Sequence, residues 1–379
     1  MKSRRDFLNT TATVGLAGIL ASGRPPAFAQ TKRSKRTVSM EEAQEVHKRT
    51  LIIDSHNDIP VEGVARGHNP LNWNKRDSSF HTDLPRMKET GYDAALFIVG
   101  DGPVANVWVT IERVFAEIAK NPNDLMLALS SHDVVRAAKE GKVGIVMSIE
   151  GIGRWLDGKP EIQNILYRLG VRSIAITHGE GGPEEKFLQG SRSPYGPCSA
   201  QDRENERKNA GGLSALGRQV IKTNEELGIL TDLAHINDKA YFETLEQVTR
   251  PPIVSHTAVF SECQHYRCLT DDQIKALAQA GGAMGIAFAP AFIDPDPEKA
   301  TIDRLVEHIC YAADLVGIDH VGIGTDFDGL GKTIPVVPEM SQLVKLTQAM
   351  MTYGLSEEEI QKVWGGNFLR LMRRNIDGV

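Results

Sequence analysis

The chain has 379 residues, of which 41% are hydrophobic and 24% are charged, and its formal net charge is -6. This is the composition of a folded globular protein with ample apolar material for a large core. The acidic balance argues against a nucleic-acid partner. The cysteines form no CxxC pair and are too few for a disulfide framework; they are Cys198, Cys263, Cys268 and Cys310.

The N-terminus has the pattern of an export signal. Residues 3–8 read SRRDFL, which resembles the twin-arginine signature, and an apolar stretch over 13–21 and the small-residue motif AFA at 27–29 follow. The apolar stretch is shorter than the roughly 18–20 residues that a membrane-spanning helix needs. We therefore expect residues 1–29 to be a signal peptide that the twin-arginine export machinery recognises. The mature chain begins with the segment 30–49 and is expected in the periplasm or outside the cell, without spanning a membrane.

From residue 50 onward, short apolar runs alternate with longer segments of helical period. The runs are rich in Val, Ile, Leu and Ala, as is typical of strands buried on both faces of a parallel sheet. There are eight of them, at 51–53, 94–99, 143–149, 171–177, 229–233, 252–255, 283–288 and 321–324. Apolar residues spaced by three and four predict helices between them, at 104–120, 213–227, 271–279 and 300–316.

Eight strands that alternate with helices favour a closed (β/α)8 barrel over an open sheet. We predict one such domain over residues 50–379. The segment 179–211 is rich in Gly, Pro, Ser and charge, and we expect it to be one long loop. A loop of that length inside a compact domain is usually a functional lid or a disordered segment.

Polar residues follow most of the predicted strands. Barrel enzymes hold their sites at the carboxyl ends of the strands, so these side chains are expected to converge on one rim. One His or Glu at a strand end is more often a loop or core residue than a metal ligand. The evidence for a metal site comes from the combination of such residues on one rim. The combination is four histidines, one glutamate and two aspartates: His56, Asp58, Glu150, His178, His235, His256 and Asp326. Imidazole and carboxylate are ligands of zinc and similar divalent ions.

The number of candidate ligands predicts a pair of metal ions. A catalytic zinc takes about three protein ligands and a water, which is fewer than the chain offers. Two ions about 3.5–4 Å apart are an established hydrolytic device, and a carboxylate can bridge them. Glu150 is the expected bridge because its strand lies between the strand of His56 and Asp58 and the strands of His235 and His256. Three further acids beside these ligands are expected to orient the imidazoles: Asp54, Asp232 and Asp328.

These motifs, in the same order, resemble those of the membrane (renal-type) dipeptidases. The match covers roughly residues 51–370. Its motifs are DSHND at 54–58, EG at 150–151, TH at 177–178, GLS at 212–214, DLAH at 232–235, SH at 255–256, GTDFDG at 324–329 and GNFLR at 366–370. The resemblance implies a zinc-dependent barrel of the amidohydrolase-like superfamily that hydrolyses the peptide bond of dipeptides.

The resemblance also implies how two zinc ions are held. His56 and Asp58 hold one ion, His235 and His256 hold the other, and Glu150 bridges them. The two ions lower the pKa of a water that they share, and the resulting hydroxide attacks the peptide carbonyl.

Three further roles follow from the resemblance. Asp326 lies beside the first ion and passes a proton from the water to the leaving amine. His178 contacts the substrate near its scissile carbonyl and stabilises the oxyanion. Arg267 receives the substrate's carboxylate, for which a guanidinium is the natural bidentate partner.

Some alternatives stay open from the sequence. One is another binuclear amidohydrolase that acts on lactams or esters; many of these use a carbamylated lysine as the bridge, whereas Glu150 fills that place here. Another is an exported protein that binds peptides without cleaving them. Ser55 stands where the family commonly has glycine. A Cys263–Cys268 disulfide, a homodimer and the preferred dipeptides are also left open.

Overall fold

The computed structural model describes residues 33–101 and 105–378. The predicted signal peptide and its cleavage site lie outside the described residues, as does the start of the helix predicted at 104–120. Within the described ranges, no helix is long and apolar enough to cross a membrane.

Parallel strands form a single sheet in the described part of the chain. They are β1 (Ile52–Asn57), β2 (Tyr92–Asp101), β3 (Leu125–Leu127), β4 (Val143–Glu150), β5 (Val171–Ala175), β6 (Leu230–Asp232), β7 (Ile253–Thr257), β8 (Ala283–Ile286) and β9 (Val321–Ile323). Eight of them follow one another in the order β1-β2-β4-β5-β6-β7-β8-β9, and each contains or overlaps one of the predicted runs. The ninth, β3, pairs only with β4 and was not predicted.

Backbone hydrogen bonds join the two ends of this sheet. The amide of Asp58 donates to the carbonyl of Phe327 at 2.9 Å, and the amide of Asp326 donates to the carbonyl of His56 at 3.2 Å. These contacts link the end of β1 to the segment that follows β9. The architecture is therefore a nearly closed (β/α)8 barrel, as the sequence predicts, and residues from the two ends of the chain meet at its rim.

Helices surround the barrel. The α-helices of the described residues are α1 (Met40–Arg49), α2 (Ile59–Ala65), α3 (Leu84–Thr90), α4 (Val107–Lys120), α5 (Ser131–Glu140), α6 (Gly153–Leu156), α7 (Ile162–Arg168), α8 (Ala200–Asn209), α9 (Ala215–Leu227), α10 (Asp238–Gln247), α11 (Asp271–Gln279), α12 (Pro290–Ile293), α13 (Ile302–Val316), α14 (Leu343–Thr352), α15 (Glu357–Gln361) and α16 (Asn367–Met372). Short 3-10 turns lie at Pro297–Lys299, Ile318–His320 and Met340–Gln342, and π-helical turns at Lys362–Gly366 and Arg373–Asp377.

The end of the barrel away from the strand carboxyl ends is closed by α16. Phe368 and Leu369 of this helix pack in one apolar cluster with Leu51, Ile53 and Leu96 of the first strands. The side chain of Phe368 is 2% exposed. Burial of apolar area here stabilises the fold and leaves the opposite rim free for polar side chains.

Ser55 lies inside the barrel and cross-links three strands. Its hydroxyl donates to the carbonyl of Ser255 at 2.5 Å and lies 3.0 Å from the carbonyl of Ile323. A side chain at Gly324 would meet the Ser55 hydroxyl at 2.7 Å and the Ser255 carbonyl at 1.8 Å. Ser55 therefore fits because Gly324 leaves room for its hydroxyl, and it holds β1 against β7 just below the rim.

The prediction of one long loop over 179–211 is wrong in part, because helix α8 occupies residues 200–209. Its sequence AQDRENERKN has almost no apolar residues, so it lacks the hydrophobic stripe on which helix prediction depends. The N-terminus of α8 could nevertheless be predicted from the residues that cap it. Ser199 accepts a hydrogen bond from the amide of Asp202, and Asp202 accepts one from the amide of Ser199, which is a capping box.

Candidate metal centre

The rim of the barrel brings the predicted ligands together. Ligand atoms that lie within 4.8 Å of one another form three overlapping groups. The groups are His56, Asp58 and Glu150; His56, His256 and Asp326; and Glu150, His178 and His235. All six predicted ligands and His178 therefore belong to one cluster, although they come from six different strand ends.

Glu150 lies at the centre of the cluster, and its two carboxylate oxygens face different partners. Oε1 lies 3.0 Å from Nε2 of His235 and 3.4 Å from Nε2 of His256. Oε2 lies 3.7 Å from Nε2 of His56, which in turn lies 3.2 Å from Oδ2 of Asp58. The two oxygens of Glu150 thus face different pairs of side chains. Oε1 faces His235 and His256, and Oε2 faces His56, beside which Asp58 lies.

Two carboxylate oxygens of the cluster, Oδ2 of Asp58 and Oε1 of Glu150, are buried without a hydrogen bond of normal geometry, although imidazole nitrogens lie near them. The Nε2 atoms of His235 and His256 face each other at 2.8 Å, a pair in which at least one nitrogen presents a lone pair. Buried acceptors that face one another repel unless a cation lies between them. Because the donors are imidazoles and carboxylates, the cluster fits divalent metal ions such as zinc.

The electrostatics of the carboxylates point the same way. Burial raises the pKa of Asp58 to about 6, although the neighbouring His56 opposes the rise. Burial also raises the pKa of Asp326 to about 8, again against the influence of His56. These acids are held in a low-dielectric site beside other negative charges, an arrangement that a bound cation would stabilise.

A glycine allows Glu150 and His178 to approach each other. Gly151 has a φ of 70°, in the left-handed region, and a side chain there would meet the backbone nitrogen of His178 at 2.8 Å. Only glycine fits both conditions without strain. The EG motif thus places the end of β4 directly beside the end of β5.

Asp54, Asp232 and Asp328 were predicted to orient the imidazoles, but among the described residues none of them makes a direct hydrogen bond to a ligand ring. Asp232 reaches two rings only through the Ser255 hydroxyl. Asp54 accepts hydrogen bonds from the backbone amides of His56 and Thr325 and from two hydroxyl groups, and Asp232 accepts from the amides of Ala234 and Ser255. Asp328 accepts from the amide of His81. These carboxylates therefore fasten the backbone of the strand ends, because the free amides there need acceptors.

The direct imidazole contacts come from Ser255, which belongs to the SH motif but was given no role in the sequence analysis. The hydroxyl of Ser255 lies 2.9 Å from Nδ1 of His256 and 3.4 Å from Nδ1 of His56. These contacts leave the Nε2 atoms of both rings directed at the cluster. A hydroxyl can serve both rings because it donates and accepts.

Asp101 is a second residue that sequence reasoning missed. It ends β2, in register with Glu150 of β4, and its Oδ1 lies 2.5 Å from Nδ1 of His178. The charge of Glu150 raises the pKa of His178 to about 9, against the effect of burial, and the hydrogen bond to Asp101 adds to the rise. The sequence signal that could have identified Asp101 is its position shortly after the predicted strand at 94–99.

Arg267 is buried beside the cluster. It is 7% exposed, its Nη2 donates to the carbonyl of His256 at 3.2 Å, and its Nε has no partner among the described residues. Burial lowers its pKa, while the charges of Asp326 and Glu150 act in the opposite direction. A buried guanidinium with spare donors is a ready partner for a carboxylate that enters the cleft.

Comparison with known proteins now identifies the family. A family model described as membrane dipeptidase (peptidase family M19) matches residues 40–377. The chain belongs to this family. It is therefore a hydrolase of a metallo-dipeptidase family whose described residues include a cluster of metal-binding side chains.

Individual relatives agree with this assignment. Dipeptidase tcpJ of Claviceps purpurea is 29% identical over 251 residues, which is 66% of this chain but only 55% of that protein. An uncharacterized dipeptidase of Schizosaccharomyces pombe, C965.12, is 27% identical over 90% of this chain and 84% of that protein. A metallo peptidase from Rhodobacter sphaeroides, solved with a phosphinate mimic of the dipeptide L-Ala-D-Ala, has a TM-score of 0.76 and 23% identity, covering 86% of this chain and 99% of that one. At that identity the likeness shows the fold.

The two cysteines of the Arg267 loop are free thiols in this M19 chain. Cys263 and Cys268 are both buried, and their sulfurs contact consecutive carbonyls, those of Ala291 and Phe292, at 3.4 and 3.5 Å. The thiols therefore tie the loop that carries Arg267 to helix α12 through weak hydrogen bonds.

Proposed function

We propose that this M19 chain hydrolyses the peptide bond of dipeptides with two zinc ions held by the rim cluster. The observation that carries the proposal is the position of Glu150, whose Oε1 faces His235 and His256 and whose Oε2 faces His56. In this assignment Glu150 is shared, Asp58 and His56 hold one ion, and the other two histidines hold the second. The zinc pair would supply an activated water and polarise the scissile carbonyl.

Asp326 is assigned to move the proton. It is 8% exposed, belongs to the same group of ligand atoms as His56 and His256, and lies where β9 ends against β1. Its carboxylate can accept a proton from the water and pass it to the leaving amine.

His178 is assigned to the developing oxyanion. Its Nδ1 lies 2.5 Å from Asp101, which fixes the ring, and the ring meets that of His235 edge-on at 4.3 Å between centroids. Because Nδ1 is held by Asp101, the donor to the oxyanion would be Nε2 of the ring. A preorganised donor of this kind is worth a few kcal/mol in acyl transfer.

Arg267 is assigned to the free carboxylate of the substrate. Its guanidinium contacts the backbone of the ligand His256, so a carboxylate bound there lies close to the cluster. A short distance between carboxylate and scissile bond favours substrates with one residue after that bond. This supports substrates with a single residue after the scissile bond, as in dipeptides, over esters or lactams without a matching carboxylate.

We also propose that the protein is exported by the twin-arginine route and acts in the periplasm or outside the cell. The support is the SRRDFL and AFA motifs of residues 1–29. Expression of the full chain with the pair Arg4 and Arg5 replaced by lysine, followed by cell fractionation, tests this assignment. Retention of the wild-type protein inside the cell would contradict it.

One experiment tests the hydrolytic function against its alternatives. The purified protein is analysed for metal and assayed on L,L and L,D dipeptides, a lactam and an ester, before and after chelation. We expect about two zinc ions per chain, dipeptide hydrolysis that is lost on chelation, and recovery with zinc or cobalt. Binding of dipeptides without cleavage by the zinc-loaded protein would support a peptide-binding protein instead, and faster turnover of the lactam or ester would support another amidohydrolase.

A further inference from the structure

A short segment of the insertion crosses one side of the cleft. Residues 193–198, here called the strap, run from the metal cluster to the loop that carries Arg267. At one end the hydroxyl of Ser193 donates to the carbonyl of the ligand His235 at 2.5 Å. At the other end the carbonyl of Gly196 accepts from the amide of Tyr266 at 3.0 Å. The strap is therefore tied to the site at both ends.

A buried amide pair fixes the start of the strap. Gln189 is fully buried; its Nε2 lies 2.9 Å from the hydroxyl of Ser193, and its Oε1 accepts from the amide of Asn237 at 2.9 Å. The side chain of Asn237 donates to the carbonyls of Ser191 and Gly211 at 3.0 and 2.9 Å. Buried networks whose donors and acceptors are matched hold a loop in one conformation. Such a loop can present a side chain to a ligand with little entropic cost.

Tyr195 is the side chain that the strap presents. It is 69% exposed, the second most exposed of the large hydrophobic residues among the described ones. Its ring meets the rings of His265 and Phe292 edge-on, at 5.0 and 6.3 Å between centroids. The Arg267 guanidinium lies 5.5 Å from the centroid of the Phe292 ring. We name Tyr195, His265 and Phe292 the aromatic wall.

The aromatic wall is uncharged at neutral pH. Burial, helped by the charge of Arg267, lowers the pKa of His265 to about 4. Burial raises the pKa of Tyr195, so its hydroxyl is neutral as well. The ring borders the Arg267 side of the cleft because it contacts Phe292, over which the guanidinium lies.

We infer that the aromatic wall receives the side chain of the C-terminal residue of the dipeptide and favours large uncharged side chains there. The inference rests on the proposed function, in which Arg267 holds the carboxylate of that same residue. Carboxylate and side chain leave one α-carbon, so a side chain beside the guanidinium reaches the Phe292 ring. It would cover the exposed face of Tyr195, and aromatic rings gain from edge-to-face contact beyond the area that they bury. A charged side chain gains less there, because it gives up part of its hydration against uncharged rings.

Two dipeptide series test the inference. The zinc-loaded protein is assayed on Ala-X and on X-Ala, with X as Ala, Leu, Phe, Asp and Lys. The variants are Tyr195→Ala and Tyr195→Phe, and the control is Phe115→Ala, which removes an exposed ring on the outer helix α4 (38% exposed). Calorimetric binding of the products L-Phe and L-Ala gives a second measurement that needs no turnover.

The wild-type protein should prefer Ala-Phe and Ala-Leu to Ala-Ala, and Ala-Ala to Ala-Asp and Ala-Lys. Tyr195→Ala should reduce the ratio of kcat/KM for Ala-Phe to that for Ala-Ala by about tenfold, mainly through KM, and should weaken L-Phe binding relative to L-Ala. Tyr195→Phe should keep most of the preference, and Phe115→Ala should leave it unchanged.

Three results would overturn the inference, and they differ in what they say of the proposed function. Equal rates across the Ala-X series would remove the wall's role and leave dipeptide hydrolysis standing. A response of the X-Ala series alone to Tyr195→Ala would assign the wall to the other residue. Failure of the zinc-loaded protein to cleave any member of either series would overturn the proposed function together with the inference.

Discussion

Arg267 offers the sharpest test of how the substrate is held. The guanidinium is 7% exposed, and its Nη2 donates to the carbonyl of His256. Its Nε has no partner among the described residues and can donate to a ligand. Removing one partner of a buried, hydrogen-bonded charge pair costs about 2–5 kcal/mol. At about 1.4 kcal/mol per tenfold change, Arg267→Ala should lower kcat/KM on dipeptides by about 30-fold to about 4,000-fold. Arg267→Lys should fall between, because lysine keeps the charge and loses the planar fork.

The assay compares free and C-terminally amidated dipeptides in the wild-type protein and in Arg267→Ala. The wild-type protein should discriminate strongly against the amide, and the variant should lose most of that discrimination. Metal analysis of the variant checks that the contact with His256 has not disturbed the cluster. If Arg267→Ala loses the same factor on both substrates, the arginine acts through the protein and not through the substrate's carboxylate, and the assignment is refuted.

Four further outcomes are expected. Glu150→Gln should reduce zinc content at both positions together because it removes the shared carboxylate; full occupancy by metal analysis would contradict the bridge. Asp326→Asn should keep near-normal zinc while kcat falls by roughly 10²–10⁴ and the acidic limb of the pH–rate profile changes; rescue by excess zinc with an unchanged profile would make it only a ligand. Asp101→Asn should lower kcat by about 10-fold to 100-fold with little change in KM or zinc content, because the amide still accepts from His178 but lacks the charge that supports the ring as a donor; a change in KM alone would argue against an oxyanion role. Chelation should lower Tm by mass action, since the folded chain binds the ions and the unfolded chain does not; an unchanged Tm by calorimetry would count against resident metal.

The barrel was predictable because its signal is local and repeated. Eight apolar runs of buried-strand composition alternate with longer segments, and each overlaps a strand. Helix α8 is almost entirely polar, so it lacks the apolar spacing that identifies a helix. Strand β3 (Leu125–Leu127) lies in the apolar run LMLAL at 125–129, and the prediction passed over that run.

The site was predictable to the extent that the fold itself gathers strand ends. His56, Glu150 and His235 are far apart in the sequence, yet the barrel alone predicts that they share a rim. The contacts that orient them were not predictable. The hydroxyl of Ser255 reaches two imidazoles, and Asp101 reaches His178 from a neighbouring strand. Such contacts depend on the register between strands and on side-chain direction, which a single sequence does not encode in any short motif.

Backbone conformation at the rim explains why the insertion and the metal cluster belong together. Two of the six proposed ligands have left-handed backbones, His235 with a φ of 62° and Asp326 with a φ of 61°. For a residue other than glycine this conformation costs on the order of 1 kcal/mol or more and persists only where neighbours hold it. Asp326 is held by its amide bond to the His56 carbonyl at 3.2 Å, within the barrel itself.

His235 has a different support, since its carbonyl accepts from Ser193 of the strap at 2.5 Å. The strap therefore stabilises the unusual backbone of one ligand while it presents Tyr195 to the cleft. A change in the insertion that moved the strap would act on the cluster and on the aromatic wall at once. This coupling gives the long segment 179–211 a physical reason to be ordered in the described structure, because the same hydrogen bonds serve the geometry of the ligands and the shape of the cleft.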